Sequence, residues 1–140
     1  MGKILCATRG GENAYRTQDA AIALAKERGD RLVFLYVVDL HFLDKTAGAV
    51  LVDVESEMRK MGEFLLVMAK ERAAEQGVVV ETICRRGELR PIFKETAQSA
   101  GVSLIVLGRP VGEQSVFKIG DLRTLATEIE NETGVETRIL

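Results

Sequence analysis

Two glycine-bearing segments stand out as places where backbone N–H groups could meet an anion. The first, Arg9-Gly10-Gly11-Glu12-Asn13, follows a short apolar run and leads into a helical pattern. The second, Gly108-Arg109-Pro110-Val111-Gly112-Glu113-Gln114-Ser115-Val116-Phe117-Lys118-Ile119-Gly120-Asp121, does the same later in the chain. A turn opening a helix suits phosphate or carboxylate, because the first helical N–H groups have no partner within the helix. Neither segment carries the G-x-G-x-x-G dinucleotide fingerprint, and the chain has no G-x-x-x-x-G-K-S/T phosphate loop. Cations gather in the same places. Arg9, Arg85, Arg86, Arg109 and Lys118 are all expected just after strands, where they would hold a small anionic ligand unless Asp39, Asp44, Glu113 and Asp121 neutralise them locally.

Other reactive residue types form no comparable group. His41 is the only histidine, and although Asp39 and Asp44 lie near it, the irregular segment does not have the spacing of a metal set, so no metal is expected. Cys6 and Cys84 each sit in an apolar run with no Cys-x-x-Cys partner and are read as buried thiols. There is no G-x-S-x-G elbow, no H-E-x-x-H and no local Cys–His nucleophile pair. The residues therefore point to binding rather than catalysis, and no catalytic residue is assigned.

Elements that could position these segments alternate along the chain. Five strands are expected at Lys3–Thr8, Leu32–Val38, Val78–Cys84, Val102–Leu107 and Val135–Leu140, separated by four helices. The second and fourth strands are apolar on both faces, as parallel strands covered by helices on each side must be. The fifth alternates, which suits an edge. The first helix spans about Ala14 to Arg28, with Asn13 as N-cap, Gly29 beyond its end, and Ala14, Ala21, Leu24 and Ala25 on its buried face. The second is the longest and repeats Leu51, Val54, Met58, Met61, Leu65 and Met68 at intervals of three and four. The third buries Leu89, Ile92, Phe93, Thr96, Ala97 and Ala100, with Pro91 in its first turn. The fourth uses Leu122, Leu125, Ala126 and Ile129 and stops at Gly134. The class is α/β, a three-layer sandwich with a five-stranded, mainly parallel sheet and helices on both faces.

Composition narrows the partners. The chain has 140 residues, 46% hydrophobic and 29% charged, with 2 Pro and no Trp, which fits one domain over residues 1–140. A net charge of -2 supplies no global field for nucleic acid or an anionic membrane, and neither is expected as a partner. The opening apolar run breaks at Arg9-Gly10-Gly11, too short for a signal segment or a membrane span, so a reducing cytoplasm is the expected compartment.

The pattern resembles the universal stress protein family over essentially the whole chain. Ile4-Leu5-Cys6-Ala7 and Ala20 to Leu24 look like that family's opening, Phe34-Leu35-Tyr36-Val37-Val38-Asp39 like its second strand, and Gly87-Glu88-Leu89-Arg90-Pro91-Ile92 with Ser103-Leu104-Ile105-Val106-Leu107-Gly108 like its later half. The resemblance implies a fold like that of the adenine nucleotide alpha hydrolases, strand order 3-2-1-4-5, a cleft between strands 1 and 4, a homodimer through strand 5, and a binding or regulatory role in stress adaptation. It also implies a ligand cleft formed by Ala7, Thr8, Arg9, Gly10, Val37, Gly108, Arg109, Gly112, Gly120 and Asp121. The family's ATP-binding branch has an Asp after strand 1 and a Gly-x-x-Gly, nine residues, Gly-Ser/Thr pattern. Here Arg9 replaces the Asp, Gly112 stands one residue late, and Asp121 replaces the hydroxyl. Firm ATP binding is therefore not expected, and Arg9 and Asp121 are candidates for an ion pair across the cleft. The alternatives are an adenine-nucleotide-binding member, with ATP and magnesium held by an altered loop and slow hydrolysis, and a purely structural interaction module.

Overall fold

A computed structural model of the protein describes residues 2–8, 12–38, 48–99, 101–108 and 119–140, with only the backbone of 12–14, 48–53 and 119–121. The apolar runs and helical periods fold in the order β1 (Lys3–Ala7), α1 (Glu12–Arg28), β2 (Arg31–Val38), α2 (Gly48–Glu75), β3 (Val80–Arg86), α3 (Leu89–Ala97), β4 (Val102–Leu107), α4 (Ile119–Thr133) and β5 (Glu136–Ile139). Every neighbouring pair of strands is parallel, in the spatial order β3-β2-β1-β4-β5.

Handedness follows from this order. From β1 the chain steps to β2 and then β3 in one direction, jumps back across the sheet to β4, and continues outward to β5. Right-handed crossovers carry helices of opposite travel to opposite faces. One core cluster accordingly joins Ile4, Cys6, Phe34, Tyr36, Leu104 and Val106 to Ala21, Ala25, Leu65, Leu66 and Ala69 of α1 and α2. The other joins Leu5, Val33, Leu35, Ile105 and Leu107 to Ile92, Phe93, Leu125 and Ile129 of α3 and α4. Adjacent strand residues belong to different clusters, as the two-residue period of a strand requires.

Several expected details shift for identifiable reasons. Asn13 does not cap α1 but lies inside it, because the helix already begins at Glu12, an acid favoured near a helix N-terminus. Gly29 and Gly134 do follow their helices with φ of 69° and 72°, the left-handed conformation in which a Cβ is strained. The buried stripe of α2 runs through Met58, Gly62, Leu65, Leu66, Ala69 and Ala73 rather than through Met61, which is 57% exposed beside the exposed Phe64 and Val67. Gly62 sits where a Cβ would strike the Tyr36 ring, so α2 lies close against β2 at that point. Strand β3 starts two residues later than expected, because β2 dictates its register from Leu32↔Val80 to Val38↔Arg86. Val78 instead donates its N–H to the Ala73 carbonyl and is buried at the end of α2.

Cys6 is fully buried, whereas Cys84 is half-buried, since β3 is an edge strand with a neighbour on one side only. Burial pushes the Cys6 thiol up to about 12. The unfolded chain therefore releases this proton near pH 9 while the folded chain keeps it, so stability falls as pH rises between those values. The expected loss is about 1.4 kcal/mol per pH unit, and Cys6→Ala should flatten that limb in urea titrations at pH 9 to 11. Equal slopes for the two proteins would show that Cys6 ionises as readily folded as unfolded.

Candidate functional site

The reversal of chain direction occurs between β1 and β4. The connection from β1 leaves toward the α1 face and that from β4 toward the α4 face, and the carboxyl ends of two such strands border a crevice. Four expected cleft residues lie within the described structure at these strand ends. Ala7 closes β1, Thr8 follows it, Val37 is the penultimate residue of β2, and Gly108 follows β4. Thr8 extends the ladder one step beyond β1, donating its N–H to the Leu35 carbonyl at 2.9 Å. Ala7 and Val37 are half-buried and pack against the α3/α4 core cluster.

Sequence reasoning did not identify the polar side chains behind these strand ends. Thr8, Thr17 and Gln18 are all buried, an unusual concentration of polar groups inside an otherwise apolar layer. Gln18 Nε2 donates to Thr8 Oγ1 at 2.5 Å, and Gln18 Oε1 accepts from Arg72 Nη1 of α2 at 3.3 Å. Arg72 also pairs with Asp19 and lies over the Tyr15 ring, 4.9 Å from its centroid. The strand end is thereby tied through one buried amide to the surface where α1 meets α2. A Cβ on Gly108 would come within 2.8 Å of Thr17 Oγ1, so this glycine lets β4 and α1 approach whatever ligand is present. The missed signal was spacing: Gln18 stands three before Ala21 and seven before Ala25, on the buried stripe of α1.

Of the five expected cations the structure describes two, Arg85 and Arg86, and these do not meet at one site. Arg85 and Arg86 lie inside β3 and point to opposite faces of the sheet, Arg85 toward Glu95 of α3 at 3.2 Å and Arg86 toward Glu55 of α2 at 3.4 Å. Their partners are thus Glu95 and Glu55, not the acids expected from sequence. Arg9, Gly10, Arg109, Gly112, Glu113, Lys118 and the segment bearing Asp39, His41 and Asp44 lie outside the described residues. Gly120 and Asp121 are second and third in α4, inside its first turn. Among the described residues no group of His, Cys, Asp and Glu could hold a metal ion. Two described cavities lie elsewhere, a groove of about 450 Å³ between α1 and α2 and another of about 330 Å³ where Lys3, Glu81 and Arg85 meet α3.

Known proteins share this fold. A sequence profile described as the universal stress protein family matches residues 1–118. Universal stress protein YxiE of Bacillus subtilis is 35% identical over 124 residues, covering 77% of this chain and 78% of that protein. The solved universal stress protein UspA from Lactobacillus plantarum superposes with a TM-score of 0.79 at 18% identity, covering 99% and 97% of the two chains. A universal stress protein in complex with cAMP gives 0.69 at 21% identity, covering 99% and 96%.

The buried pair lends itself to a double-mutant cycle read by urea unfolding. Gln18→Leu leaves the Thr8 hydroxyl without its donor and Thr8→Val leaves the Gln18 amide without its acceptor, so each should cost about 1–3 kcal/mol. The double variant should cost less than the sum by about 1 kcal/mol or more. Strict additivity would show that the two side chains do not act as a pair.

Proposed function

Because the chain belongs to the universal stress protein family, we propose that it is a binding and regulatory domain of stress adaptation whose cleft at the ends of β1 and β4 takes a small anionic ligand without holding ATP firmly. The residues assigned to that cleft are Ala7, Thr8, Arg9, Gly10, Val37, Gly108, Arg109, Gly112, Gly120 and Asp121. One observation carries the reading. Helix α4 begins at Ile119, so Asp121 brings an acidic residue into the turn whose N–H groups would otherwise meet a phosphate. An acid there favours the helix dipole on its own account and repels a triphosphate. The shortened glycine spacing from Gly112 to Gly120 and Arg9 in the acidic position after β1 support the same reading.

A second reading, an adenine-nucleotide site with an altered loop, is favoured by the cAMP held by a protein of the same fold. A mononucleotide asks less of a phosphate loop than ATP with magnesium does. Arg9 or Arg109 would then meet the phosphate, with Val37 and Gly108 beside the nucleoside. We further propose that the chain acts as a single domain and pairs into a homodimer through β5, an edge strand with one neighbour. The two unpaired thiols support a reducing compartment such as the cytoplasm, and no described helix is long and apolar enough to cross a membrane.

Calorimetric titration of nucleotide-free protein separates the readings. ATP with magnesium should give no heat up to millimolar concentration, while Asp121→Ser should tighten ATP binding by about tenfold or more by removing the like charge. Submillimolar ATP affinity in the unaltered protein would overturn the first reading. Binding of AMP or cAMP without ATP would favour the second, and silence toward every nucleotide would favour a module that works through protein contacts.

A further inference from the structure

The outer edge of β5 is already partly occupied. The Leu140 N–H donates to the Leu107 carbonyl of β4, and Leu107 is in register with Ile139. In a parallel ladder, alternate residues turn their backbone groups to alternate sides. Glu136, Arg138 and Leu140 therefore face β4, while Thr137 and Ile139 turn their N–H and C=O groups outward. The outward Thr137 N–H is not open: it donates to Glu130 Oε1 of α4 at 2.8 Å. A side chain from the covering helix reaches around the edge and takes the place of a pairing strand.

The sequence around that N–H is complementary to itself. Glu136 and Arg138 flank Thr137 on the opposite sheet face from Ile139, and within one chain they pair at 2.9 Å. An antiparallel copy related by a two-fold axis at Thr137 would exchange N–H and C=O bonds between the two Thr137 residues. It would also set each Glu136 opposite the other copy's Arg138, an attractive cross-strand pair. An axis at Arg138 would instead oppose two arginines and shorten the overlap. The favoured register thus needs the one N–H that Glu130 holds.

We propose that Glu130 is a latch on the β5 edge, whose carboxylate must release the Thr137 N–H before two copies of the chain pair their β5 strands antiparallel about a two-fold axis at Thr137. The occupant of the edge is a second copy, because the Glu136-Thr137-Arg138 pattern matches its own reverse. The latch rests on the β5 dimer proposed above, and it makes that dimer conditional. Competition between carboxylate and strand keeps the edge from pairing indiscriminately, the hazard that any open edge carries.

Two measurements test the latch and the dimer separately. In dilute protein, amide hydrogen exchange at Thr137 should quicken about fivefold in Glu130→Ala, the worth of a typical net hydrogen bond; unchanged exchange would overturn the latch and leave the dimer standing. In sedimentation equilibrium, Glu130→Ala should tighten dimerisation about twenty-fivefold, since each dimer releases two latches worth about fivefold apiece, and Thr137→Pro should abolish it in either background. If Thr137→Pro associates like the unaltered protein, the β5 dimer falls. Arg138→Glu should weaken the dimer and Glu136→Arg/Arg138→Glu should restore it; failure of that rescue would overturn the axis at Thr137.

Discussion

Right-handed crossover is the constraint on which the remaining geometry depends. Once β1 occupies the centre of a parallel sheet, steps to β2 and β3 place α1 and α2 on one face, and the return to β4 and β5 places α3 and α4 on the other. The split between β1 and β4 is therefore a consequence of topology rather than of any single residue. What individual residues decide is how the split is lined. Gly108 permits α1 to pack against the end of β4, and Thr8, Gln18 and Arg72 extend polar contacts away from it.

Most of the fold was legible because burial on both faces leaves a plain mark. Leu32 to Val38 and Leu104 to Leu107 are continuous apolar runs of strand length, and both are buried strands flanked on each side. The stripe of α3 was nearly as plain, since Ile92, Phe93, Thr96 and Ala97 are buried and Leu89 is half-buried, while Ala100 lies outside the described residues. Errors arose where pairing or packing overrode pattern. β3 takes its ends from β2, and its own burial pattern is mixed because it is an edge. On α2, two apolar stripes compete in the sequence. The one containing Gly62 and Ala69 wins because small residues allow close approach to Tyr36, leaving Met61 and Phe64 outside.

The candidate site was less legible than the fold, and the reason is physical. Strand ends and glycine turns announce where a crevice lies, but a buried polar relay joins residues distant in sequence: Thr8 to Gln18, and Gln18 to Arg72 fifty-four positions later. No local motif records such a relay. Cations misled for a related cause. Arg85 and Arg86 are adjacent in sequence, yet strand alternation sends them to opposite faces and to Glu95 and Glu55, so proximity along the chain became separation in space.

The same principle applies at the β1/β4 split and at the β5 edge. At the β1/β4 split, the buried Thr8 hydroxyl is already bonded to Gln18, and the first turn of α4 brings its own acid. At the β5 edge, the outward Thr137 N–H is already bonded to Glu130. In both places an internal group stands in for an external one. Any ligand or partner must therefore exceed not the cost of desolvating an open group but the difference between two satisfied states, which is small for a hydrogen bond exchanged for another. Such sites discriminate well and bind weakly unless further contacts contribute. That balance fits the regulatory role proposed above better than a store of tightly held nucleotide, and the two internal groups concerned, Glu130 and Gln18, belong to no recognisable motif.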